Sequence, residues 1–283
     1  MKTKLYTLIT GSSEGFGKAL AIECAKRKMN LILVSLPDSG LNQLAKFIIK
    51  NYNVDVVPIE KDLSVEENCM MLYKEVEQMN LSVNMLINNV GLGSTMFFKE
   101  GNIDFYQKQV KLNVMVTTLL TSLFLDMLKA NTPSHILNVG SLSCFFYLAK
   151  KQVYGATKSY VYSFSKSLRA ELESDNINVS VICPGGMNTN PTTIMTNQSN
   201  HWLARQSIMN PDKVATIAIR GLLNRDEIII PGFMNKLFLL IDKLLPDFVI
   251  KMIANSHVNR FKSYNTGNRN HERQFISSGF KHY

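Results

Sequence analysis

Seven short apolar runs, at residues 5–10, 31–35, 54–59, 85–88, 135–139, 179–183 and 227–230, alternate with longer stretches of helical spacing. The runs are continuous rather than alternating in polarity, the pattern of strands covered on both faces. Between them, 15–28 sets Phe16, Leu20, Ala21 and Cys24 on one side, and 40–51 does the same with Leu41, Leu44, Phe47 and Ile48. Residues 115–128 are apolar almost throughout, and 157–172 aligns Val161, Phe164, Leu168 and Leu172. Parallel neighbours need crossover connections, so repeated strand–helix–strand units predict an α/β fold. It is a doubly wound parallel sheet of about seven strands with helices on both faces. No linker or internal repeat interrupts the units, which argues for one domain.

Composition excludes several other classes. With 283 residues and 46% hydrophobic content, the chain can bury a sizeable core and is not intrinsically disordered. Its 15 Gly and 8 Pro exclude collagen-like and low-complexity chains. Cys24, Cys69, Cys144 and Cys183 form no CxxC or metal-spaced cluster, so reduced thiols and no metal are expected. Met1-Lys2-Thr3-Lys4 runs straight into the first apolar run and then a glycine motif, unlike a signal peptide. No window of about 20 residues reads as a membrane span. The nearest, 233–254, carries Lys236, Asp242, Lys243, Asp247 and Lys251 and is broken by Pro246. A cytoplasmic protein is expected.

The formal net charge is +9. Lys251, Arg260, Lys262, Arg269, Arg273 and Lys281 against Glu272 place +5 of it in the last 33 residues. The excess therefore sits in a tail and not in a stripe on the folded body. No recognisable nucleic-acid module accompanies it, so nucleic-acid binding is not expected. A flexible, solvated tail over 256–283 is the simplest reading, and peripheral contact with an anionic membrane surface or a CoA phosphate is the sharper one.

The first run leads into Thr10-Gly11-Ser12-Ser13-Glu14-Gly15-Phe16-Gly17 and then a helix. A glycine at the strand end permits a tight turn, another lets the backbone approach a pyrophosphate, and a third lets helix and sheet pack closely. The helix N-terminus offers free N–H groups and a positive dipole end to the anion. Glycine spacing alone is a weak signal, and the strand–turn–helix context raises it. Further along, Tyr154 and Lys158 stand at i and i+4, on one face of a helix. A carbonyl reductase needs an acid that gives a proton to oxygen as hydride reaches carbon. A tyrosine serves if a nearby ammonium stabilises its phenolate.

Together these segments resemble the short-chain dehydrogenase/reductase family, in its single-domain subgroup, over roughly residues 4–232. The resemblance implies a Rossmann-type, NAD(P)-binding catalytic domain over 1–232, an apolar helical extension over 233–255 and the basic tail over 256–283. It assigns the cofactor to Gly11, Ser13, Gly15, Phe16 and Gly17 in the glycine turn. Asp62 and Leu63 match the pair at the adenine ring, although Asp62 can equally cap a helix. Asn88-Asn89-Val90-Gly91 matches the segment lining the cofactor, with Asn89, Val90 and Gly91 as its contacts. Its valine resembles the branch of 3-ketoacyl-CoA reductases and 17β-hydroxysteroid dehydrogenases. Tyr154 is implied as the acid/base, and Lys158 as the residue that supports it and holds the nicotinamide ribose, so both also touch the cofactor. Ser141, 13 residues before Tyr154, matches the serine that orients the carbonyl, with Ser143 as its rival. Asn113 matches the asparagine that holds a water in a proton relay. Pro184, Gly185 and Thr189 match the segment at the nicotinamide end, Thr189 being alternatively a helix N-cap.

At the end of the second run stands Ser35, with neither an acid for a ribose hydroxyl nor an arginine for a 2′-phosphate. The lack of an acid and the resembling branch favour NADP(H) over NAD(H), while Glu14 stands where many NADP-dependent members carry a base. Phe145, Phe146, Tyr147, Leu148, Ile194, Met195, Trp202 and Met209 suggest a pocket for a hydrophobic carbonyl or secondary alcohol, 3-oxoacyl or steroid-like, with some of them core. The family also implies a homo-dimer or homo-tetramer. The rival of another class is a catalytically idle dinucleotide-binding sensor or scaffold. A sugar epimerase or dehydratase is disfavoured by the glycine spacing.

Overall fold

The structure is a computed structural model, and it describes residues 3–189 and 207–244. The strands are β1 (Leu5–Thr10), β2 (Asn30–Ser35), β3 (Val56–Glu60), β4 (Ser82–Asn88), β5 (Ser134–Val139), β6 (Ile177–Ile182) and β7 (Ile228–Ile229). They form one seven-stranded sheet in the order β3-β2-β1-β4-β5-β6-β7, and every pairing is parallel. The seven apolar runs thus become the seven strands, with ends shifted by a residue or a few.

Continuous apolarity has its physical reason in the layers. On one side, α1 (Gly15–Lys26), α2 (Leu41–Tyr52) and α7 (Pro211–Leu223) cover Ile9, Leu31, Leu33, Met85, Ile87, Leu137 and Ile182. On the other, α3 (Glu66–Gln78) and α5 (Val116–Ala130) cover Tyr6, Leu8, Ile32, Val34, Leu86, Ile136 and Val179. Both alternating sets of each inner strand are therefore buried, so neither is free to be polar. α6 (Gln152–Leu172) joins the second layer through Leu172, and α8 (Phe233–Leu244) closes the described chain. Phe47 departs from the sequence expectation. It is 48% exposed and sets its ring edge-on to Tyr52, while Ala45 takes the place in the core.

Helix α4 (Ile103–Val110), which the sequence reading did not single out, continues through one π-helical turn at Lys111–Met115 into α5. The stretch Ile103–Ala130 is long and apolar enough, by composition, to cross a membrane. This corrects the expectation that no window qualifies. Within this stretch, Val116, Leu120, Phe124 and Leu128 are buried in the core. Beneath the sheet's carboxyl end runs a buried polar chain. Asn88 Nδ2 donates to Thr121 Oγ1 at 3.0 Å and to Asn138 Oδ1 at 2.9 Å, and Asn138 Nδ2 donates to Ser165 Oγ at 2.9 Å. It ties β4 and β5 to α5 and α6, the elements that carry the site.

Candidate active site

β1 lies between β2 and β4, so chain order reverses at its carboxyl end and opens a crevice there. The residues singled out after strands all sit at this end. Gly11 (φ +62) and Gly15 (φ +54) adopt the left-handed conformation that favours glycine. A Cβ on Gly17 would collide with the Gly11 carbonyl oxygen and lie 2.6 Å from Asn89 Nδ2. Helix α1 starts without a side-chain cap and without an acid in its first turn, so its first N–H groups are free for an anion. The Phe16 side chain is buried in the core, and what it can offer a ligand is its backbone N–H.

The neighbouring loops are stitched to this turn. Asn89 Nδ2 donates to the carbonyls of Thr10 (2.8 Å) and Gly11 (3.0 Å). Thr10 Oγ1 accepts from the N–H groups of Asn89 and Val90, both at 3.0 Å. A Cβ at Gly91 would stand 2.8 Å from Asn113 Oδ1 and 3.5 Å from Lys158 Nζ, so that backbone passes close to both. Ser13 and Ser35 face each other, hydroxyl to hydroxyl at 2.7 Å. Asp62 Oδ1 accepts from Ser64 N at 2.9 Å, a local turn, while the helix-flanking residue of α3 is Val65. Burial opposes ionisation of Asp62, but the Ser64 hydrogen bonds and the Lys108 charge hold its carboxyl below the usual range. The Leu63 side chain is in the core. A Cβ on Gly15 would lie 3.2 Å from Thr189 Cβ, so the segment after β6 folds over the glycine turn. A cleft of about 390 Å³ is lined by Ser13, Glu14 and Gly15 together with Asn188 and Thr189. Pro184 O accepts from Leu142 N at 2.9 Å, and Gly185 is pressed against Ser207 and Asn235, where a Cβ would come within 2.9 Å of Asn235 Oδ1.

Tyr154 and Lys158 project from α6 toward the ends of β4 and β5. Burial pushes the Tyr154 phenol above the usual range, against a hydrogen bond from Ser141 that favours the phenolate. The two serines are thereby separated: Ser141 meets the phenol, while Ser143 is 6% exposed and its hydroxyl is buried without a partner among the described residues. Lys158 is 5% exposed, donates to Val139 O at 2.7 Å and holds its Nζ 5.9 Å from the Tyr154 ring centroid. Burial pushes its ammonium down to about 8. Asn113 sits in the π-helical turn, a feature often found at functional sites. Its Oδ1 accepts from Leu92 N at 2.7 Å, and its Nδ2 donates to Leu92 O at 3.1 Å and Thr157 Oγ1 at 2.9 Å.

Some expected pocket residues fall elsewhere. Phe145 packs edge-on against Tyr162 beside the small core of Val161, Val181 and Cys183. Met209 packs against the main core and pairs its backbone with Met187. Tyr147 is 95% exposed and Leu148 45%. Ile194, Met195 and Trp202 lie outside the described residues. The structure adds residues not anticipated: Thr10, Gln109 (Nε2 to Leu92 O, 2.9 Å) and Lys151, whose Nζ lies 5.0 Å from the Tyr154 ring centroid. Only Thr10 had a local signal, a hydroxyl between strand and first glycine. The others reach the site across space.

The family model for short chain dehydrogenases matches residues 6–201. The chain belongs to the short-chain dehydrogenase family. As a member it is an oxidoreductase of CH–OH and C=O groups working with NAD(P). A very-long-chain 3-oxoacyl-CoA reductase of Mus musculus is 30% identical over 185 residues, 63% of this chain and 58% of that protein. Ketoacyl reductase HetN of Nostoc sp. is 27% identical over 248 residues, 86% of this chain and 85% of that protein. A short-chain dehydrogenase from Sphingobium yanoikuyae, solved in complex with NADPH, superposes with a TM-score of 0.71. It is 25% identical and covers 81% of this chain and 88% of its own.

Proposed function

We propose that this short-chain dehydrogenase reduces the carbonyl of a hydrophobic substrate, 3-oxoacyl or steroid-like, or oxidises the matching secondary alcohol. NADP(H) is its preferred cofactor. The observation that carries the reading is the meeting of Tyr154, Ser141 and Lys158 beside a glycine turn that leaves no room for a side chain at Gly17.

The residues present fit a dinucleotide. The uncapped start of α1 would hold the pyrophosphate and Asn89, Val90 and Gly91 would line its path. Asp62 and Leu63 would flank the adenine, and Pro184, Gly185 and Thr189 the nicotinamide end. Ser35 brings a hydroxyl, paired with Ser13, where an acid would repel a 2′-phosphate. The Sphingobium relative's NADPH supports the same preference. When bound, the nicotinamide supplies or accepts the hydride.

The protein's own groups manage the proton. The Tyr154 phenol, raised further by burial from an ordinary 10.0, is protonated at neutral pH, the form a reduction needs. Its Oη gives the proton to the carbonyl oxygen while Ser141 holds that oxygen by hydrogen bond. With the Ser141 hydroxyl on the substrate oxygen, the phenolate left behind is stabilised by the Lys158 charge. Two of the Lys158 donors remain beyond the Val139 bond, enough for ribose hydroxyls. Asn113 has its side-chain amide committed to Leu92 and Thr157, and its backbone carbonyl, which accepts from Thr117 Oγ1 at 3.2 Å, keeps a second lone pair for a relay water.

The names of the mouse and Nostoc relatives support the 3-oxoacyl class. Exposed Val110, Met115 and Tyr160 on neighbouring helices support self-association, in a dimer or tetramer. Free thiols at Cys24, Cys69, Cys144 and Cys183 suit a reducing, cytoplasmic setting. A panel of 3-oxoacyl thioesters, steroid ketones and sugars, read by NADPH and NADH fluorescence, tests the proposal. Turnover of an apolar ketone with higher kcat/KM for NADPH is expected. Clear NADH preference contradicts the cofactor assignment, and turnover of sugars alone contradicts the substrate class.

A further inference from the structure

The mouth of the site carries a cation that the reaction above does not use. Lys151 flanks the start of α6, three residues ahead of Tyr154. Its Nζ lies 5.0 Å from the Tyr154 ring centroid and 3.3 Å from Ser94 O. The segment of Ser94 skirts the same ring, since a Cβ on Gly93 would come 4.0 Å from Tyr154 Cε2. Two ammonium groups therefore border this tyrosine, each anchored to a different carbonyl: Lys158 to Val139 and Lys151 to Ser94.

An ammonium has three donors, and Ser94 takes one from Lys151. Among the described residues no carboxylate pairs with Lys151. Lys151 is half-buried, and burial pushes its ammonium below the usual lysine range. A cation at a helix N-terminus also opposes the helix dipole. Its described contacts are the Ser94 carbonyl and the Tyr154 ring, and neither neutralises the charge. An anion arriving beside Tyr154 would relieve all of these penalties at once.

We propose that Lys151 selects substrates that carry a carboxylate within a few bonds of the reacting carbon. These are free oxo or hydroxy acids with an apolar chain, as against their esters or thioesters. A lone ammonium, with three rotatable donors and no arginine fork beside it, suits a small, singly charged group. The inference rests on the reading of Tyr154 as the acid/base and narrows the substrate class of that same site.

The test runs in the oxidative direction with NADP+, comparing 3-hydroxyoctanoate with its methyl ester. The wild type is expected to favour the acid in kcat/KM by at least about tenfold, the scale of one charge-assisted contact. Lys151→Met should remove that preference, mainly through KM for the acid, and Lys151→Arg should keep it. A role confined to propping the Ser94 segment would change both substrates alike and leave the ratio untouched. Turnover of the ester with no advantage for the acid overturns the assignment of Lys151 alone, as does a Lys151→Met variant that keeps the preference. A wild type inert toward both that still turns over another ketone of the panel overturns the assignment of Lys151, and one inert toward the whole panel sinks the reading of Tyr154 as well.

Discussion

Lys158 shows how a functional residue is held against its own stability. It is buried with no acid opposite among the described residues, and its ammonium is pushed from an ordinary 10.5 to about 8. A folded-state value below the unfolded one means that the unfolded chain binds more protons between those limits. The burial penalty is thus fully present below about pH 8, shrinks as pH rises toward 10.5, and is gone above it. Lys158→Met should therefore raise Tm at pH 7 by a few degrees while abolishing turnover. Its Tm advantage over wild type should shrink as pH climbs past 8, and thermal melts from pH 6 to 10 check both signs. In the wild type, kcat/KM for reduction should hold level up to about pH 8 and fall beyond it, as the charge supporting the phenolate is lost. At this scale the sequence exposed what repeats a local spacing: Tyr154 with Lys158, and the three glycines. It hid what is made by contact across the chain. Thr10 pins Asn89 from 79 residues away, Gln109 pins Leu92, and Lys151 borders Tyr154 only because α6 begins there.

The site's elements are positioned by backbone shape and by buried hydrogen bonds. The turn from β1 into α1 is the clearest case, because a side chain on Gly17 meets Gly11 and Asn89. Gly17→Ala should destabilise the protein by about 1–3 kcal/mol, the range for overpacking. It should also weaken NADPH binding at least about tenfold, measured by calorimetric titration. The chain Asn88–Asn138–Ser165 locks α5 and α6 beneath the site. Asn138→Ala leaves one Asn88 amide hydrogen unpaired and takes a donor from Ser165 Oγ, while the Asn88–Thr121 and Ser165–Val161 bonds stay, and should cost about 1–3 kcal/mol. A Tm unchanged in that variant would remove the network from the account. The strands were legible because burial on both faces leaves an unbroken apolar run. Helix α4 was not, since only Gln109 of its eight residues is buried, so no apolar stripe marks it. The π-helical turn was invisible for a similar reason. It changes the winding by a single residue and aims Asn113, yet leaves no compositional trace.

Across the whole molecule, one sheet order gathers loops after β1, β2, β3, β4, β5 and β6 into one crevice, which is why motifs far apart in sequence could be read as one site. The proposed self-association makes a simple demand. Light scattering should give two or four times 32.0 kDa, and a monomer at micromolar concentration would contradict it. The basic tail poses a separate question, with liposome binding of a chain truncated after Ala254 as its test. The central claim is that this fold performs hydride-coupled proton transfer through Tyr154, rather than merely holding a dinucleotide. Steady-state reduction by Tyr154→Phe, with NADPH affinity measured alongside, tests it most directly. Removing one hydroxyl should lower kcat/KM by about 10²–10⁴-fold and leave the Kd for NADPH nearly unchanged. Turnover undiminished in the variant would contradict the claim.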